Sequence, residues 1–223
     1  MGMKPIFWLG RALRKAGTEI LRRNGIRGTW IDVGAHQGES TLVQALENPG
    51  LKVYAFEPNL RTATQLMGRA PNFIVIPMAV TEKDGNAEFH INAFDAASSL
   101  LPLNPEGVRS WDAAQKLLKV ESVVTVPTIR LDTFLNLVGI REIDFLKVDT
   151  QGMDLAVIKS AGNRLSDIAK IKLEVWVSPQ PIYSGTPSKH DVISYLHQRG
   201  FELNATEIQS EGREENLTFA RKA

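Results

Sequence analysis

Two short apolar runs, each carrying an acid at or near its end, constrain this chain more than any other feature: Ile31-Asp32-Val33-Gly34-Ala35-His36-Gln37-Gly38 and Val53-Tyr54-Ala55-Phe56-Glu57-Pro58. Runs of this length and composition suit strands buried on both faces of a parallel sheet. Ser40 to Glu47 between them reads as a helix, so the segment predicts one β-α-β unit. Two glycines after the first strand allow a sharp turn and close approach to a ligand. An acid ending the second strand, about twenty residues on, is where such folds hold the hydroxyls of an adenosine ribose.

Asp32 narrows the choice of ligand. A dinucleotide sets its pyrophosphate on the amides and positive dipole end of the first helix, and a carboxylate beside it would repel that anion. The glycine spacing is also Gly-x-x-x-Gly, with Gly34 and Gly38, rather than Gly-x-Gly-x-x-Gly. A ligand with adenosine, no phosphate and cationic groups near the turn fits better. S-adenosylmethionine has those properties. Asp32, Gly34, Ala35, His36, Gly38, Glu57, Ala79 and Asp149 form the expected cofactor-binding set.

Later elements alternate in the same way. Asn59 to Arg69 reads as a helix, Phe73 to Met78 as a strand, Ala87 to Asn92 as an exposed strand and Val123 to Ile129 as another. Asp132 to Val138 is helical, Ile143 to Asp149 a core strand, Met153 to Ala161 a helix and Ile171 to Trp176 a core strand. Ser188 to Arg199 closes as a helix, followed by strands at Phe201 to Ile208 and Asn216 to Arg221. The irregular stretch Ala93 to Ser122 is long enough to be a functional loop or lid. The order predicts an α/β, Rossmann-like doubly wound sheet with an antiparallel strand near its end.

Composition permits this and excludes other classes. A chain of 223 residues can form one sizeable α/β domain, expected over residues 29–223. The net charge of +1 supplies no field toward nucleic acid. The absence of cysteine removes thiolate metal sites and cysteine nucleophiles. No apolar run reaches the length of a membrane span. Residues 1–28 are expected to form an accessory helix, with Ile6, Leu9, Leu13 and Ile20 near one face and Lys4, Arg11, Arg14, Lys15, Arg22 and Arg23 around it. A peripheral contact with an anionic membrane is the alternative for this helix. The segment lacks a secretory pattern, and the expected compartment is the cytoplasm.

The blocks Asp32-Val33-Gly34-Ala35-x-x-Gly38, Phe56-Glu57-Pro58, Ser98-Ser99-Leu100, Leu131-Asp132-x-Phe134-Leu135 and Ile143-Asp144-Phe145-Leu146-Lys147-Val148-Asp149-x-Gln151-Gly152 resemble the FkbM-type methyltransferases. The resemblance implies a seven-stranded class I methyltransferase sheet and O-methylation of hydroxyls on sugars, glycans or natural products. It implies that Asp32, Gly34 and Gly38 line the methionine half of the cofactor, that Glu57 holds the ribose and that Asp149 lies by the transfer point. His36 stands where the family usually has Asn, and Asp154 where it usually has Glu.

The chemistry points to the same residues. A neutral hydroxyl is a poor nucleophile, so a base within hydrogen-bond reach is expected. Asp149, ending the core strand before Gly152, is the first candidate; a cap or turn role for the next helix is the alternative. His36 is a second candidate base, or a polar contact to the cofactor's methionine carboxylate. Glu174 is a third, or the partner of Lys172 or Lys147. Asp149 and Glu174 lack a clear third oxygen ligand, so no metal is expected. Ser98, Ser99, Gln151, Trp176 and Tyr183 are the expected acceptor-side residues, with Trp111, Trp176 and Tyr183 able to stack on a sugar. An NAD-type oxidoreductase, a nucleic-acid N-methyltransferase and a non-catalytic binding module are the competing functions. Asp32 opposes the first, and Asp149-Thr150-Gln151-Gly152 in place of an Asn/Asp-Pro-Pro-aromatic clamp opposes the second.

Overall fold

A computed structural model describes residues 25–222. The expected N-terminal helix therefore lies outside the described residues up to position 24. Residues 25–27 have no regular structure, and the first strand begins at Gly28. Along the chain come β1 (Gly28–Val33), α1 (Thr41–Glu47), β2 (Leu51–Phe56), α2 (Leu60–Leu66) and β3 (Phe73–Ile76). A middle section holds β4 (Ala79–Val80), β5 (Gly85–Asn92), α3 (Pro105–Arg109), α4 (Asp112–Leu117) and β6 (Val120–Ile129). The chain continues with α5 (Leu131–Val138), β7 (Phe145–Val148), α6 (Asp154–Ser160), β8 (Lys170–Trp176), α7 (Lys189–Gln198), β9 (Phe201–Gln209) and β10 (Glu214–Arg221).

Seven strands form one sheet in the order β3-β2-β1-β7-β8-β10-β9, with β10 antiparallel to both of its neighbours. The apolar runs explain this arrangement, because a strand with helices on both faces buries every side chain. Ile31, Val33, Phe56, Leu146, Val148, Ile171 and Leu173 are all buried, and Leu131, Leu135, Leu155 and Ile158 pack in the same core. Phe134 from α5 meets Tyr54 and Phe56 edge-on, at 5.4 and 4.9 Å between ring centres. A second apolar cluster joins Leu42, Ala45 and Leu66, from α1 and α2, to Val53 and Ala55. Strand order reverses between β1 and β7, which opens a crevice at their carboxyl ends.

The middle section differs from the sequence expectation. Strands β4, β6 and β5 form a separate three-stranded sheet, and the stretch expected to be irregular contains α3, α4 and the start of β6. Helices of five and six residues leave little periodic signal, although Pro105 opens α3 and Asn104 caps it by accepting from Glu106 N. Glu121 to Thr125 are exposed, so β6 lacks the alternation that marks a half-buried strand. Val108, Trp111 and Ala114 pack against Trp176, Ile182 and Tyr183, fixing this section beside the end of β8. No helix among the described residues is long and apolar enough to cross a membrane.

Candidate active site

The turns after β1 and β7 flank the crevice and touch each other. At Gly34 (φ +78°), an added Cβ would lie 1.8 Å from the Asp149 carbonyl oxygen. At Gly38 (φ +72°), it would lie 2.9 Å from Leu42 Cβ and 3.3 Å from Leu66. Both glycines are thus required by close packing of the protein on itself. Ala35 is buried in this turn, its N–H donating to Phe56 O at 3.0 Å.

Asp32 is buried (1% exposed) and accepts from the Thr41 hydroxyl and, at 3.0 Å, from Lys147 Nζ. The same ammonium donates to Gly34 O at 3.0 Å and lies 3.8 Å from Asp149 Oδ2. Burial works against the Lys147 charge, but the carboxylates of Asp32 and Asp149 outweigh it and raise its pKa. The Asp32 carboxylate, expected to face the cofactor's cationic groups, is therefore engaged inside the protein. The sequence carried a signal for this: a lysine within a core strand needs a buried partner, and Lys147 lies in register with Asp32. Lys172 pairs instead with Glu207 at 2.8 Å, so neither expected lysine pairs with Glu174.

Glu57 sits at the end of β2 with both oxygens directed by backbone amides, from Asn59 N and His36 N, each at 2.8 Å. Each oxygen keeps a further lone pair, which suits a ribose diol. The same two bonds give the side chain a structural role as well. Glu57→Ala should weaken S-adenosylhomocysteine binding by about 1.5–3 kcal/mol and also cost about 1–3 kcal/mol of folding stability by stranding two amides. Calorimetry and urea unfolding measure the two effects separately. Unchanged affinity with lowered stability would leave Glu57 a purely structural role.

His36 has a left-handed backbone (φ +45°) and places its ring between two acids. Nδ1 lies 2.6 Å from Glu39 Oε1, and Nε2 lies 3.2 Å from Asp95 Oδ1. The hydrogen bond to Glu39, opposed by burial and reinforced by Asp95, raises its pKa to about 9. The raised pKa favours the imidazolium, a form with no lone pair to accept a proton, and so weighs against His36 as the base. With both ring nitrogens occupied, it also has no free donor for a methionine carboxylate.

On the other side of the crevice, the Asp149 side chain is 37% exposed. Gln151 (φ +55°) places Nε2 3.1 Å from Asp149 Oδ1 and 3.3 Å from Glu174 Oε2. Tyr183 Oη lies 2.9 Å from Gln151 Oε1 and 2.8 Å from Ala97 O. The Ser99 hydroxyl donates to Gln151 O at 2.8 Å, while Ser98 Oγ accepts from Asn92 N at 3.1 Å. Ser99, Gln151 and Tyr183 thus form one structural network, and Ser98 stabilises its own turn. Trp176 is buried against Trp111, with ring centres 6.2 Å apart, and Ala79 packs with Phe89 and Val126 in the small sheet.

A small cavity beside Asp149 is lined by Gln151, Asp154, Glu174, Trp176, Tyr183 and Glu214. Burial and the Asp149 charge push Asp154 up to about 7, and burial with the neighbouring acids raises Glu174 and Glu214. Glu214 was missed by the sequence because it enters only through the antiparallel pairing of β10 with β8. Among the described residues, no group of three or more His, Asp or Glu side chains is placed to hold a metal ion.

A reversal-point crevice with an acid ending β2 and an accessible acid following β7 defines the class: an S-adenosylmethionine-dependent methyltransferase with the class I fold. Two solved structures share that fold. Aeropyrum pernix fibrillarin with bound S-adenosylmethionine aligns with a TM-score of 0.52 at 13% identity, over 94% of this chain and 72% of that one. The magnesium protoporphyrin IX methyltransferase of Synechocystis PCC 6803 with bound S-adenosylhomocysteine aligns at 0.50 and 11% identity, over 89% and 76%. The chain belongs to the FkbM methyltransferase family, whose domain matches residues 32–203. It is 24% identical over 191 residues to the 2-O-methyltransferase NoeI of Sinorhizobium fredii, covering 78% of this chain and 72% of that protein.

Proposed function

We propose that this enzyme transfers the methyl group of S-adenosylmethionine to a hydroxyl of a sugar, glycan or natural-product acceptor, with Asp149 as the general base. The observation that carries this is the Asp149 carboxylate, solvent-accessible at the crevice and hydrogen-bonded by Gln151. S-adenosylmethionine, when bound, supplies a methyl group activated by a sulfonium. The chain's residues have two tasks. Glu57 and the turn after β1 would orient the cofactor, and Asp149 would take the hydroxyl proton. Holding the reactants in line is worth about 7–11 kcal/mol in favourable cases. The name of the relative NoeI supports an oxygen acceptor.

Charge narrows the acceptor further. Asp149, Asp154, Glu174 and Glu214 line or adjoin the acceptor side, and the lysine nearest to them, Lys147, is engaged by Asp32. An acceptor with a phosphate or carboxylate near its reacting hydroxyl would find Lys147 already engaged and would oppose ionisation of these acids, whereas a neutral polyol can hydrogen-bond to them in either protonation state. The test is incubation of the pure protein with S-adenosylmethionine bearing a deuterated methyl group, against matched neutral, cationic and anionic saccharides and polyketide alcohols. Mass spectrometry should find the label on an oxygen of a neutral acceptor. Label confined to nitrogen, or to anionic acceptors, would refute the proposal.

A further inference from the structure

We infer that His36 is a positioning residue for the cofactor, whose ring latches the turn after β1 to the lid segment 93–104 across the crevice. Three side-chain hydrogen bonds tie that segment to the walls of the crevice. At the β7 side, Ser99 donates to Gln151 O, and the Tyr183 hydroxyl meets Ala97 O. At the β1 side, the hydrogen bond between His36 Nε2 and Asp95 Oδ1 joins residues 59 positions apart. Among the described residues it is the one hydrogen bond between the lid segment and that turn. The segment therefore spans both walls of the crevice, and one imidazole secures one end of the span.

The backbone supports this role. A non-glycine residue in the left-handed region costs on the order of 1 kcal/mol or more, and it persists only where its surroundings over-determine it. His36 is held there from three sides: its N–H donates to Glu57 Oε2, Nδ1 meets Glu39 and Nε2 meets Asp95. Glu57 is the acid assigned to the ribose, so cofactor contact and lid attachment converge on one residue. Asn, the residue the family usually has here, could hydrogen-bond but not carry a charge between two acids.

The charged groups around the ring are Glu39 and Asp95 in direct contact and Glu57 at the backbone N–H, with Lys147 acting on Glu39 and Asp32 acting on Glu57. The acids in contact favour the imidazolium. A group whose pKa is raised on folding contributes fully below its ordinary value and loses that contribution as pH rises through the folded value. The latch therefore holds at neutral pH and loosens above about 9.

The test needs no methyl acceptor, so its outcome is independent of the proposed acceptor and base. S-adenosylhomocysteine is titrated calorimetrically into the native protein, His36→Asn and Asp95→Asn at pH 7.5 and at pH 10, with hydrogen exchange of residues 93–104 measured at pH 7.5. Both variants should bind about fivefold more weakly than the native protein at pH 7.5, the scale of a partly exposed charge pair. They should also exchange faster in the lid. The native protein should lose affinity at pH 10 by a larger factor than either variant. The ligand's own amino group titrates alike in all three, so the difference between proteins is the readout. Asp95→Asn is isosteric and lies outside the strained turn, so it tests the latch even if His36→Asn folds poorly. Native affinity, native lid exchange and an unaltered pH dependence in Asp95→Asn would overturn the inference.

Discussion

Asp149→Asn should lower turnover by about 10²–10⁴-fold, the usual worth of a positioned general base, while leaving S-adenosylhomocysteine affinity within about threefold. Asn preserves size and still presents an oxygen to Gln151 Nε2, but it cannot take up a proton at neutral pH. The structure separates this role from the structural alternative. The residue capping α6 is Met153, and Asp149 precedes that helix without bonding to its amides. Loss of a helix cap would therefore not explain reduced activity, and urea unfolding should show a change below about 1 kcal/mol. Single-turnover kinetics with an identified acceptor measures the effect. Near-native turnover would remove Asp149 from the chemistry and leave Glu174, joined to the same Gln151 amide, as the remaining candidate.

Lys147→Met should cost about 3–5 kcal/mol of folding stability, because it strands the carboxylate of Asp32 in the core without its cation. Met matches the length of the lysine stem, so little of the loss would come from a cavity. The pH dependence identifies the cause. Burial already raises Asp32, and removing Lys147 removes the main influence that pulls it back. A carboxyl with a raised folded pKa stabilises the fold below its unfolded value and loses that contribution as pH rises. The variant should therefore regain stability relative to the native protein as pH falls toward about 5. Adding Asp32→Asn should recover part of the loss at neutral pH, since Asn needs no counter-charge. Denaturant midpoints at several pH values check both statements. A Lys147→Met midpoint within about 1 kcal/mol of native would show that the pair is incidental.

Residues with the same local pattern differ in how far their roles could be read from sequence. Ile31–Val33, Leu146–Val148 and Ile171–Val175 are legible as core strands because their apolar residues, all buried, recur at every second position. Glu57 was legible because its place at a strand end follows from a short local count. Asp32 is legible as a carboxylate ending a strand before the glycine turn, but neither its burial nor its ion pair is. Its partner, 115 residues away, arrives only through parallel pairing of β1 with β7. The contact of His36 with Asp95 is not legible either, because Asp95 lies on a segment whose path over the crevice leaves no periodic trace. α3 and α4 escaped because their burial is against Trp176 and Tyr183, contacts made far along the chain.

By itself the sequence determined the strand and helix succession outside the middle section, the doubly wound class of the sheet, and the acids at the ends of β2 and β7. These depend on periodicity and on turns a few residues long, which neighbours along the chain dictate. Tertiary structure alone decided which charges meet: Lys147 neutralises Asp32, Asp95 joins His36, and Glu214 comes beside Glu174 as a like charge that raises its pKa. A side chain's electrostatic state depends on the burial and partners that folding supplies, and residues distant in sequence provide most of both.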